Sequence, residues 1–568
     1  MKKRMLATIV ALITTASIIA GCAGSTGTTA TAPAASTETE AATEEAATAE
    51  ESTEAAEETA TTAEGPHILG DGDLTFEIWF PMISAAAAYT DTIDGNVSYG
   101  KLEELFGVDL QFIEEPEANA REKFQILVTS DDLPDLISYT NYYAAGGDAL
   151  VDDGIAVDLA EYLDYLPNYV KRMQADPAIA RDCLTDTGKI YELFTIQNYT
   201  QPAFCGILIR GDWLEKAGLE EPKTVEELHN ALVTFKEQFT GGEAPMQLYQ
   251  DGFGYGGTFV GMFGVNADPT DSYNYWTIED GEVKFSPYLD GFKKYVQTMH
   301  DWYAEGLIDP NYTSATEIWG NNELMNTTGV MNGIFTQAGK YYANAGYIDD
   351  PDGYFICANM VTEDGSPRKV GQYRPSPALK QGVIVSQDCE NIEEVLTMVD
   401  YLYSDEGSIR ATYGVEGETW HYTDDGKIQA DDIIIHNPNM NITGARHAYL
   451  CKNFGQYNIR GIEDDNLDEY QAVYLDKWVN SGFTNVLPIG YITMTSDEGT
   501  RYNTIMSDVN TYILEWVNRF ITGVTPMDQW NEFISGFEKN MDVEGALQIM
   551  SDAYGRYADR PIDVIMNR

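Results

Sequence analysis

The sequence predicts an α/β fold distributed over two domains. Between Leu74 and Ile137, short stretches with strand periodicity alternate with helix-compatible stretches, which is typical of a parallel sheet covered by helices. Further along the chain, amphipathic stretches with recognisable cap residues predict additional helices. The roughly 500 residues from His67 to Arg568 exceed what one hydrophobic core normally holds. These observations favour two α/β domains over one large domain.

The first domain is predicted to begin with strands and helices in strict alternation. Leu74–Phe80 alternates apolar and polar side chains and predicts a strand, and Val108–Phe112 predicts the next one. Helices are predicted around Tyr99–Phe106 and Phe124–Val128, and a third strand begins at Leu136. The order β-α-β-α-β predicts parallel strands. Ligands of such sheets bind at the carboxyl ends of the strands.

Later helices are predicted from signals at their ends. Thr224 and Glu227 form a capping-box pattern, and Gly241-Gly242 predicts where that helix stops. Asn391 predicts the start of another helix, whose end is predicted at Ser404–Gly407. The sequence contains no repeat of fixed period, which weighs against a solenoid or a propeller.

The amino terminus has the layout of a secretory signal. Lys2–Arg4 is a positive segment, Met5–Ile19 is mostly apolar, and Ala20-Gly21-Cys22 follows. The last residues resemble a bacterial lipobox, which implies cleavage after residue 21 and lipidation of the Cys22 thiol. The alternative is an ordinary signal peptide followed by a chance cysteine. Two acyl chains on one residue would hold the protein to a membrane without a spanning segment.

Residues 22–66 are predicted to form a disordered linker. The segment consists mainly of Ala, Thr, Ser, Gly and Glu, with ten Glu, no aromatic residue, and neither Lys nor Arg. It therefore buries too little apolar surface to offset its ordering entropy. Its many Thr residues and the lack of an apolar stripe disfavour a helix. As a flexible coil it would reach roughly 35–40 Å.

The formal charge of −57 restricts the classes of partner that the protein can bind. A surface this acidic repels nucleic acid and lipid phosphates, so nucleic acid is not an expected partner, and contact with a membrane is expected only through the lipid anchor. It also argues against an anionic ligand, unless a local basic pocket overrides the surrounding field.

No motif for catalysis, a metal or a cofactor stands out. The six histidines form no H-E-x-x-H pattern, and G-x-S-x-G does not occur. The cysteines after Cys22 include no C-x-x-C pair, so we expect buried thiols and not a zinc or redox site. The chain has so many Asp and Glu residues that any spacing of two carboxylates can be found in it. The residues alone therefore do not exclude a glycosidase with a catalytic pair of carboxylates. These cysteines are Cys183, Cys205, Cys357, Cys389 and Cys451.

Four segments resemble the extracellular solute-binding proteins of ABC importers, in the large family that carries sugars and oligosaccharides. Ser130–Asp135 is similar to its S-G-D-x-P-D signature, with Asp131 in place of glycine. Ile209–Thr224 is similar to its R-x-D-W-L-x-K-x-G-L…P-x-T block, and Ala304–Pro310 to the segment after its central helix. Asp400–Gly417 resembles its paired D-Y-x-Y-S-x-E-G and Y-G-x-E-G blocks.

The resemblance implies a two-lobed periplasmic-binding-protein-like fold of type II, with discontinuous lobes around a central cleft. It places residues 67–200 in lobe 1, with a return segment near 375–410, and residues 206–370 in lobe 2. Residues 411–568 are expected to belong mainly to lobe 2. It also implies hinge closure on the ligand, docking to membrane permeases, and no enzymatic activity.

The glycine-rich segment Gly252–Gly257 departs from the family pattern. Many relatives carry an Asp/Asn-rich calcium loop at that place, so we expect neither a structural metal there nor a cofactor. The segment contains G-x-G-x-x-G, but the preceding residues make a poor buried strand, which disfavours dinucleotide binding. A loop that presents aromatic side chains to a ligand is the preferred interpretation.

Aromatic and polar side chains in suitable places are the candidates for ligand binding. A sugar ring offers an apolar face and a rim of hydroxyls, which flat aromatic rings and polar groups complement. Trp79 and Tyr139 end predicted strands, and Tyr255 lies in the glycine loop. Trp319 lies in a polar stretch, and Arg374 lies among prolines. The complete set of candidates is Trp79, Tyr139, Tyr255, Trp319, Arg374, Glu416 and Trp420.

The sequence and the resemblance together predict a lipid-anchored receptor on the extracellular face of a Gram-positive-type cell membrane. It is expected to act as a monomer, to capture a sugar or oligosaccharide, and to deliver it to ABC permease subunits. A receptor for peptides or other amphiphilic solutes is the first alternative. A surface glycoside-degrading enzyme is an alternative of another class.

Overall fold

The computed structural model describes residues 67–568, apart from 91, 131, 139–141, 144–145, 200–204, 249–250, 255–256, 270–273, 315–321, 369–377, 463, 465–466, 480–486 and 488–489. The predicted signal peptide, Cys22 and the predicted linker lie outside the described residues. Within the described part, no helix is both long and apolar enough to cross a membrane.

Thirteen strands are assigned within the described residues. They are β1 Leu74–Met82, β2 Val108–Pro116, β3 Leu136–Ser138, β4 Leu193–Gln197, β5 Cys205–Arg210, β6 Trp276–Glu279, β7 Glu282–Phe285, β8 Val330–Ile334, β9 Phe355–Cys357, β10 Ala378–Val385, β11 Trp420–Tyr422, β12 Ile428–Ala430 and β13 Tyr457–Asn458.

Twenty α-helices are assigned in the same part of the chain, besides short 3₁₀ and π turns. They are α1 Ser84–Ala87, α2 Val97–Phe106, α3 Glu117–Leu127, α4 Gly146–Asp152, α5 Pro167–Met173, α6 Pro177–Cys183, α7 Gly211–Ala217, α8 Val225–Gln238, α9 Asp290–Ala304, α10 Asn322–Thr327, α11 Tyr341–Asn344, α12 Ile392–Tyr401, α13 Asp405–Tyr413, α14 Asp432–Ile435, α15 Ile442–Tyr449, α16 Glu469–Tyr474, α17 Ser496–Ile521, α18 Trp530–Asn540, α19 Val543–Ala558 and α20 Asp563–Met566.

The first lobe is built on a six-stranded sheet in the order β13-β4-β10-β3-β1-β2. Strand β1 pairs in parallel with β2 and β3, so the predicted β-α-β-α-β arrangement is confirmed. Strand β10 runs antiparallel to β3 and β4. From Ile78 onward every β1 residue is buried, because β1 lies inside the sheet and helices cover both faces. The strict alternation predicted for β1 therefore holds only over its first residues.

The second lobe has its own sheet and its own core. Its three-stranded sheet has the order β8-β5-β9. Helices α8, α9, α17, α18 and α19 supply most of the remaining core, in which aromatic side chains are prominent. Trp276 is fully buried there, and its indole N–H donates to the Tyr502 hydroxyl at 2.7 Å. The protein thus has a two-lobed α/β fold with separate hydrophobic cores, as predicted.

The chain passes between the lobes several times. It leaves the first sheet at Gln197 and enters the second at Cys205, and it returns at Ala378. After α19 the carboxyl terminus comes back to the first core, where Ile565 is fully buried. The exact lobe boundaries expected from the sequence stay a prediction.

One helix start was predicted correctly from its cap. The Thr224 hydroxyl accepts the Glu227 N–H at 3.1 Å, and the Glu227 carboxylate accepts the Thr224 N–H at 3.2 Å. This capping box opens α8 as predicted. At α12 the start is also confirmed, but among the described residues the Asn391 side chain makes no cap hydrogen bond.

The predicted helix end at Ser404–Gly407 is wrong in part. Helix α12 ends at Tyr401, and Ser404 then caps a new helix, α13, by accepting the Gly407 N–H at 2.9 Å. A serine followed by two acidic residues is a good helix start, because acidic side chains complement the amino-terminal dipole.

Candidate functional site

The facing edges of the two sheets define where a ligand can meet both lobes. In the first sheet, the strand pairings bring the carboxyl ends of β1 to β4 to the same edge as the amino end of β10. In the second sheet, Cys205 at the start of β5 pairs with Ile334 at the end of β8. Because the chain crosses between these ends, the two edges border the cleft. This is where ligands of open α/β sheets bind.

A cavity of about 760 Å³ lies between the lobes. This volume is within the usual range of ligand pockets, about 300–1,000 Å³. One wall comes from the first lobe, and the other from the segment before α17, from α17 itself and from the end of the chain. The wall of the first lobe contains Arg121, Tyr143, Gly146, Gly147, Leu150, Asp182, Leu184, Thr185, Tyr191 and Lys380. The opposite wall contains Tyr491, Ile492, Thr493, Met494, Thr495, Ser496, Gly499, Thr500, Tyr502, Asn503, Met550 and Arg560.

A glycine pair at the start of α4 allows the walls to approach. A Cβ atom on Gly147 would lie 2.2 Å from the Tyr191 ring, so only glycine lets that ring pack directly on the helix. Gly146 has φ near +84°, and a Cβ there would lie 3.0 Å from the Thr493 side chain of the opposite wall. These two glycines therefore fix the position of Tyr191 and the width of the cavity at this point.

Arg560 joins the two walls through a buried hydrogen-bond network. Its guanidinium donates to the Asp186 carboxylate at 2.8 Å and to the Arg181 carbonyl oxygen at 3.1 Å, both in the first lobe. It also donates to the Tyr491 carbonyl oxygen at 2.7 Å and to the Thr493 hydroxyl at 3.0 Å. This network holds the segment before α17 against the first lobe.

Lys380 lines the cavity near the amino end of β10. Its ammonium nitrogen is 5.8 Å from the centre of the Tyr491 ring. Desolvation is the largest cause of the lowered pKa of Lys380, and the positive charge of Arg560 lowers it further. The carboxylates of Glu192, Asp182 and Asp186 act in the opposite direction.

The remaining lining can make both stacking and hydrogen-bonding contacts. Four tyrosines contribute aromatic surface, and threonine hydroxyls and the Asn503 amide contribute donors and acceptors. Burial raises the pKa of Tyr191 well above its usual value, so its hydroxyl stays protonated at neutral pH. These groups suit a ligand with several hydroxyls and some apolar surface.

Three of the predicted ligand-binding residues are described by the structure. Trp79 is 2% exposed, and its ring centre is 5.8 Å from that of Phe124 in the first core. Trp420 is 5% exposed, and its indole N–H donates to the Gly414 carbonyl oxygen at 3.3 Å. Glu416 is exposed and forms a β-bridge with Trp420. Neither tryptophan lines the cavity, and Glu416 does not line it either, within the described residues.

The other predicted positions lie outside the described residues: Tyr139, Tyr255, Trp319 and Arg374. The ligand-binding role assigned to the whole set stays a prediction.

Sequence reasoning did not single out the residues that line the cavity. Lys380 carried a usable signal, because it interrupts the otherwise mainly apolar strand Ala378–Val385. Tyr191, Tyr491 and Arg560 carried none, since they are ordinary residues in separate parts of the chain.

Comparison with known families decides the class of the protein. Residues 88–409, more than half of the chain, match the profile of the bacterial extracellular solute-binding proteins. The chain belongs to this family. The match covers the segments that carry the sequence resemblance up to Ile409 and includes both lobes. A solute-binding protein captures its ligand without converting it, so the prediction of no enzymatic activity is confirmed.

This solute-binding protein is similar to relatives from several bacteria. It is 22% identical over 496 residues to the fructooligosaccharide ABC transporter substrate-binding protein FusA of Streptococcus pneumoniae, covering 80% of this chain and 86% of FusA. It is 22% identical over 369 residues to the lipoprotein LipO of Bacillus subtilis, covering 62% of this chain and 68% of LipO.

The fold is also shared with solved structures. An HMO-binding, ABC-transporter-associated solute-binding protein from Bifidobacterium longum infantis superposes with a TM-score of 0.67 at 17% sequence identity. The superposition covers 86% of this chain and 99% of that protein. This likeness establishes the fold.

Proposed function

We propose that the protein is the lipid-anchored receptor of an ABC importer and that it captures an oligosaccharide in the cavity between its lobes. The observation that carries this proposal is the lining of that cavity. It combines four tyrosines with hydroxyl, amide and charged groups from both lobes. A ligand that touches both walls stabilises the closed arrangement, which is the form that a permease would recognise.

The chemistry of the lining favours a saccharide. A sugar ring presents C–H surface to aromatic rings and hydroxyls to polar groups, and the cavity offers both kinds of partner. FusA, which has a similar sequence over most of the chain, is named for a fructooligosaccharide. This name supports the same class of ligand here.

The amino-terminal segment fits a tethered receptor. Lipidation of Cys22 would anchor the chain, and the acidic linker after it would keep the lobes within reach of a permease. The relative LipO is named as a lipoprotein, which supports the anchor.

Ligand capture is tested by a thermal-shift screen with defined oligosaccharides and with peptides of similar mass. We expect at least one oligosaccharide to raise the melting temperature, because a ligand that binds only the folded state stabilises it by mass action. Stabilisation by peptides alone would contradict the saccharide assignment.

The anchor is tested separately with Cys22→Ser. This variant should appear in the culture medium while the wild-type protein stays with the membrane fraction. The affinity for any oligosaccharide found in the screen should not change. Retention of Cys22→Ser at the membrane would contradict the lipid anchor.

A further inference from the structure

Residues 543–566, the carboxyl-terminal connection, join the two lobes through a helix. The first turns of α19 pack in the second core, where Val543, Ala546 and Met550 are buried. After α19 the chain reaches the first core, in which Ile565 of α20 is fully buried. An α-helix rises about 1.5 Å per residue, so the 16 residues of α19 span about 24 Å. The carboxyl-terminal connection is therefore a stiff element anchored in both lobes.

The end of this connection is held closely against the first lobe. The Tyr557 hydroxyl donates to the Asp182 carboxylate of α6 at 2.6 Å. Pro561 lies directly against Gly188, since a Cβ atom on this glycine would be 2.8 Å from the proline ring. Because the backbone of one segment touches the ring of the other, the two segments have little room to slide past each other.

Arg556, in the last turn of α19, extends these contacts to the second lobe. Its guanidinium donates to both carboxylate oxygens of Glu498 at 3.1 and 2.6 Å, and to the Thr493 carbonyl oxygen at 3.1 Å. It also donates to the Asp186 carboxylate of the first lobe at 3.4 Å. Glu498 lies in the first turn of α17, a helix that packs in the second core. One side chain therefore contacts both lobes.

A dense set of contacts between the lobes limits how the lobes can move there. In hinge closure a few residues absorb the change, and the lobes rotate as bodies. A rotation displaces atoms near its axis least and distant atoms most. A stiff helix that is anchored at both ends, together with an arginine that contacts both lobes, would lose these contacts in a large displacement. The contacts therefore fit a place where the lobes move little against each other.

We propose that the carboxyl-terminal connection, from Arg556 to Ile565, is the pivot about which the two lobes open and close. Asp186 holds this pivot in the open and in the closed protein through its ion pairs with Arg556 and Arg560. The inference goes beyond the proposed function, because it concerns the motion of the lobes and does not depend on the solute. The cavity lies beside the pivot, since Arg560 lines it.

Asp186→Asn tests the pivot, because it removes the charge that both arginines contact and keeps the shape of the side chain. The measurement is the distribution of distances between two nitroxide labels by pulsed electron paramagnetic resonance, on the protein without a ligand. The labels are attached to Glu104→Cys in α2 and Glu237→Cys in α8, one exposed position in each lobe, in a Cys22→Ser background. The five other cysteines are buried, so labelling is confined to the introduced thiols.

We expect Asp186→Asn to broaden the distribution of distances around an unchanged mean. Hydrogen bonds to charged groups correspond to about 10- to 100-fold in an equilibrium constant, so the arrangement with the contact released should become more populated by that factor. An unchanged width in the folded variant would overturn the pivot. A shift of the mean without broadening would indicate a latch that holds one arrangement, and it would overturn the pivot as well.

Asp164→Asn is the matched control. It removes the partner of Arg568 at 3.0 Å, which is an ion pair within the first lobe whose carboxylate is 90% exposed. Both the mean and the width should stay as in the wild type, and a broadening equal to that of Asp186→Asn would overturn the assignment of the pivot.

Arg556→Lys is the second variant, which replaces Asp186→Asn if that protein does not fold. Lysine keeps the charge but lacks the planar fork of donors with which arginine contacts Glu498 and Asp186 together. The distribution should broaden here too, and an unchanged width would contradict the pivot. Neither variant alters the test of the proposed function, because the thermal-shift screen is made on the wild-type protein.

Discussion

The hydrogen-bond network of Arg560 predicts that this one side chain is important for the stability of the whole protein. Arg560→Met keeps an extended side chain but removes the guanidinium and all four of its hydrogen bonds. The Asp186 carboxylate would then lose its ion pair with Arg560 at 2.8 Å and keep the ion pair with Arg556 at 3.4 Å. The Tyr491 carbonyl oxygen and the Thr493 hydroxyl would lose their donor as well.

The loss of stability in Arg560→Met has an ionic part and a hydrogen-bond part. Removing one partner of a buried ion pair typically costs about 3–5 kcal/mol, because the other charge is left buried without compensation. Since Arg556 still faces Asp186, the ionic part should lie at the lower end, about 3 kcal/mol. The unmade hydrogen bonds to the segment before α17 add about 1 kcal/mol. We therefore expect a loss of about 4 kcal/mol in the free energy of unfolding.

Urea titration of wild-type and variant proteins measures this loss. The matched control is Arg568→Met, which removes an ion pair to Asp164 at 3.0 Å whose carboxylate is 90% exposed. Exposed pairs contribute only about 0–1 kcal/mol, so this control should unfold almost as the wild type does. If Arg560→Met lost less than about 1 kcal/mol, the network would be dispensable and this reasoning would be refuted.

Three further substitutions, two of them with a control substitution, test other features of the structure. Burial raises the pKa of Asp251 to about 6, above its unfolded value of about 3.9. The contribution of this carboxyl group to the free energy of unfolding is therefore fully present below pH 4 and is lost as the pH rises through 6. Asp251→Asn should therefore stabilise the protein by about 3 kcal/mol at most at pH 7 and by nothing at pH 4, as urea titrations at both pH values would show. Thr224→Ala should cost about 1 kcal/mol through the capping box, whereas Asn391→Ala should cost little, and equal costs would contradict the assigned caps. Gly147→Ala should cost about 1–3 kcal/mol, because the new methyl group would overlap a tyrosine ring. Gly100→Ala is the control in thermal unfolding. A Cβ at this position of α2 would have no neighbouring atom within 4 Å, so the substitution should stabilise the protein by up to about 1 kcal/mol.

The regular elements could be predicted because their signals are local. Strand β1 and the capping box at Thr224 depend on residues that are neighbours in sequence, and both were found. The segment Ser404–Gly407 shows the limit of such signals. Serine and glycine occur at helix ends and at helix starts, and the packing of the two helices decides between these possibilities.

The site could not be predicted in the same way because its residues come from distant parts of the chain. Tryptophans such as Trp79 attract attention in a sequence, yet this one packs inside its own lobe. Tyr191 and Tyr491 become neighbours of one cavity only through the crossing of the chain between the sheets. Their sequence contexts do not differ from those of many other tyrosines in the protein.

The net charge of the whole protein does not describe the electrostatic environment inside the cavity. A formal charge of −57 creates a field that repels anions, but at physiological ionic strength this field decays over about 8 Å of solvent. Inside the cavity, where Lys380 is desolvated, interactions between charges are screened far less. A nucleic acid, which must lie along the outer surface, meets only the repulsive field. A small ligand that enters the cavity leaves that field for contact with the polar lining, so the net charge excludes the first partner and does not decide the charge of the second.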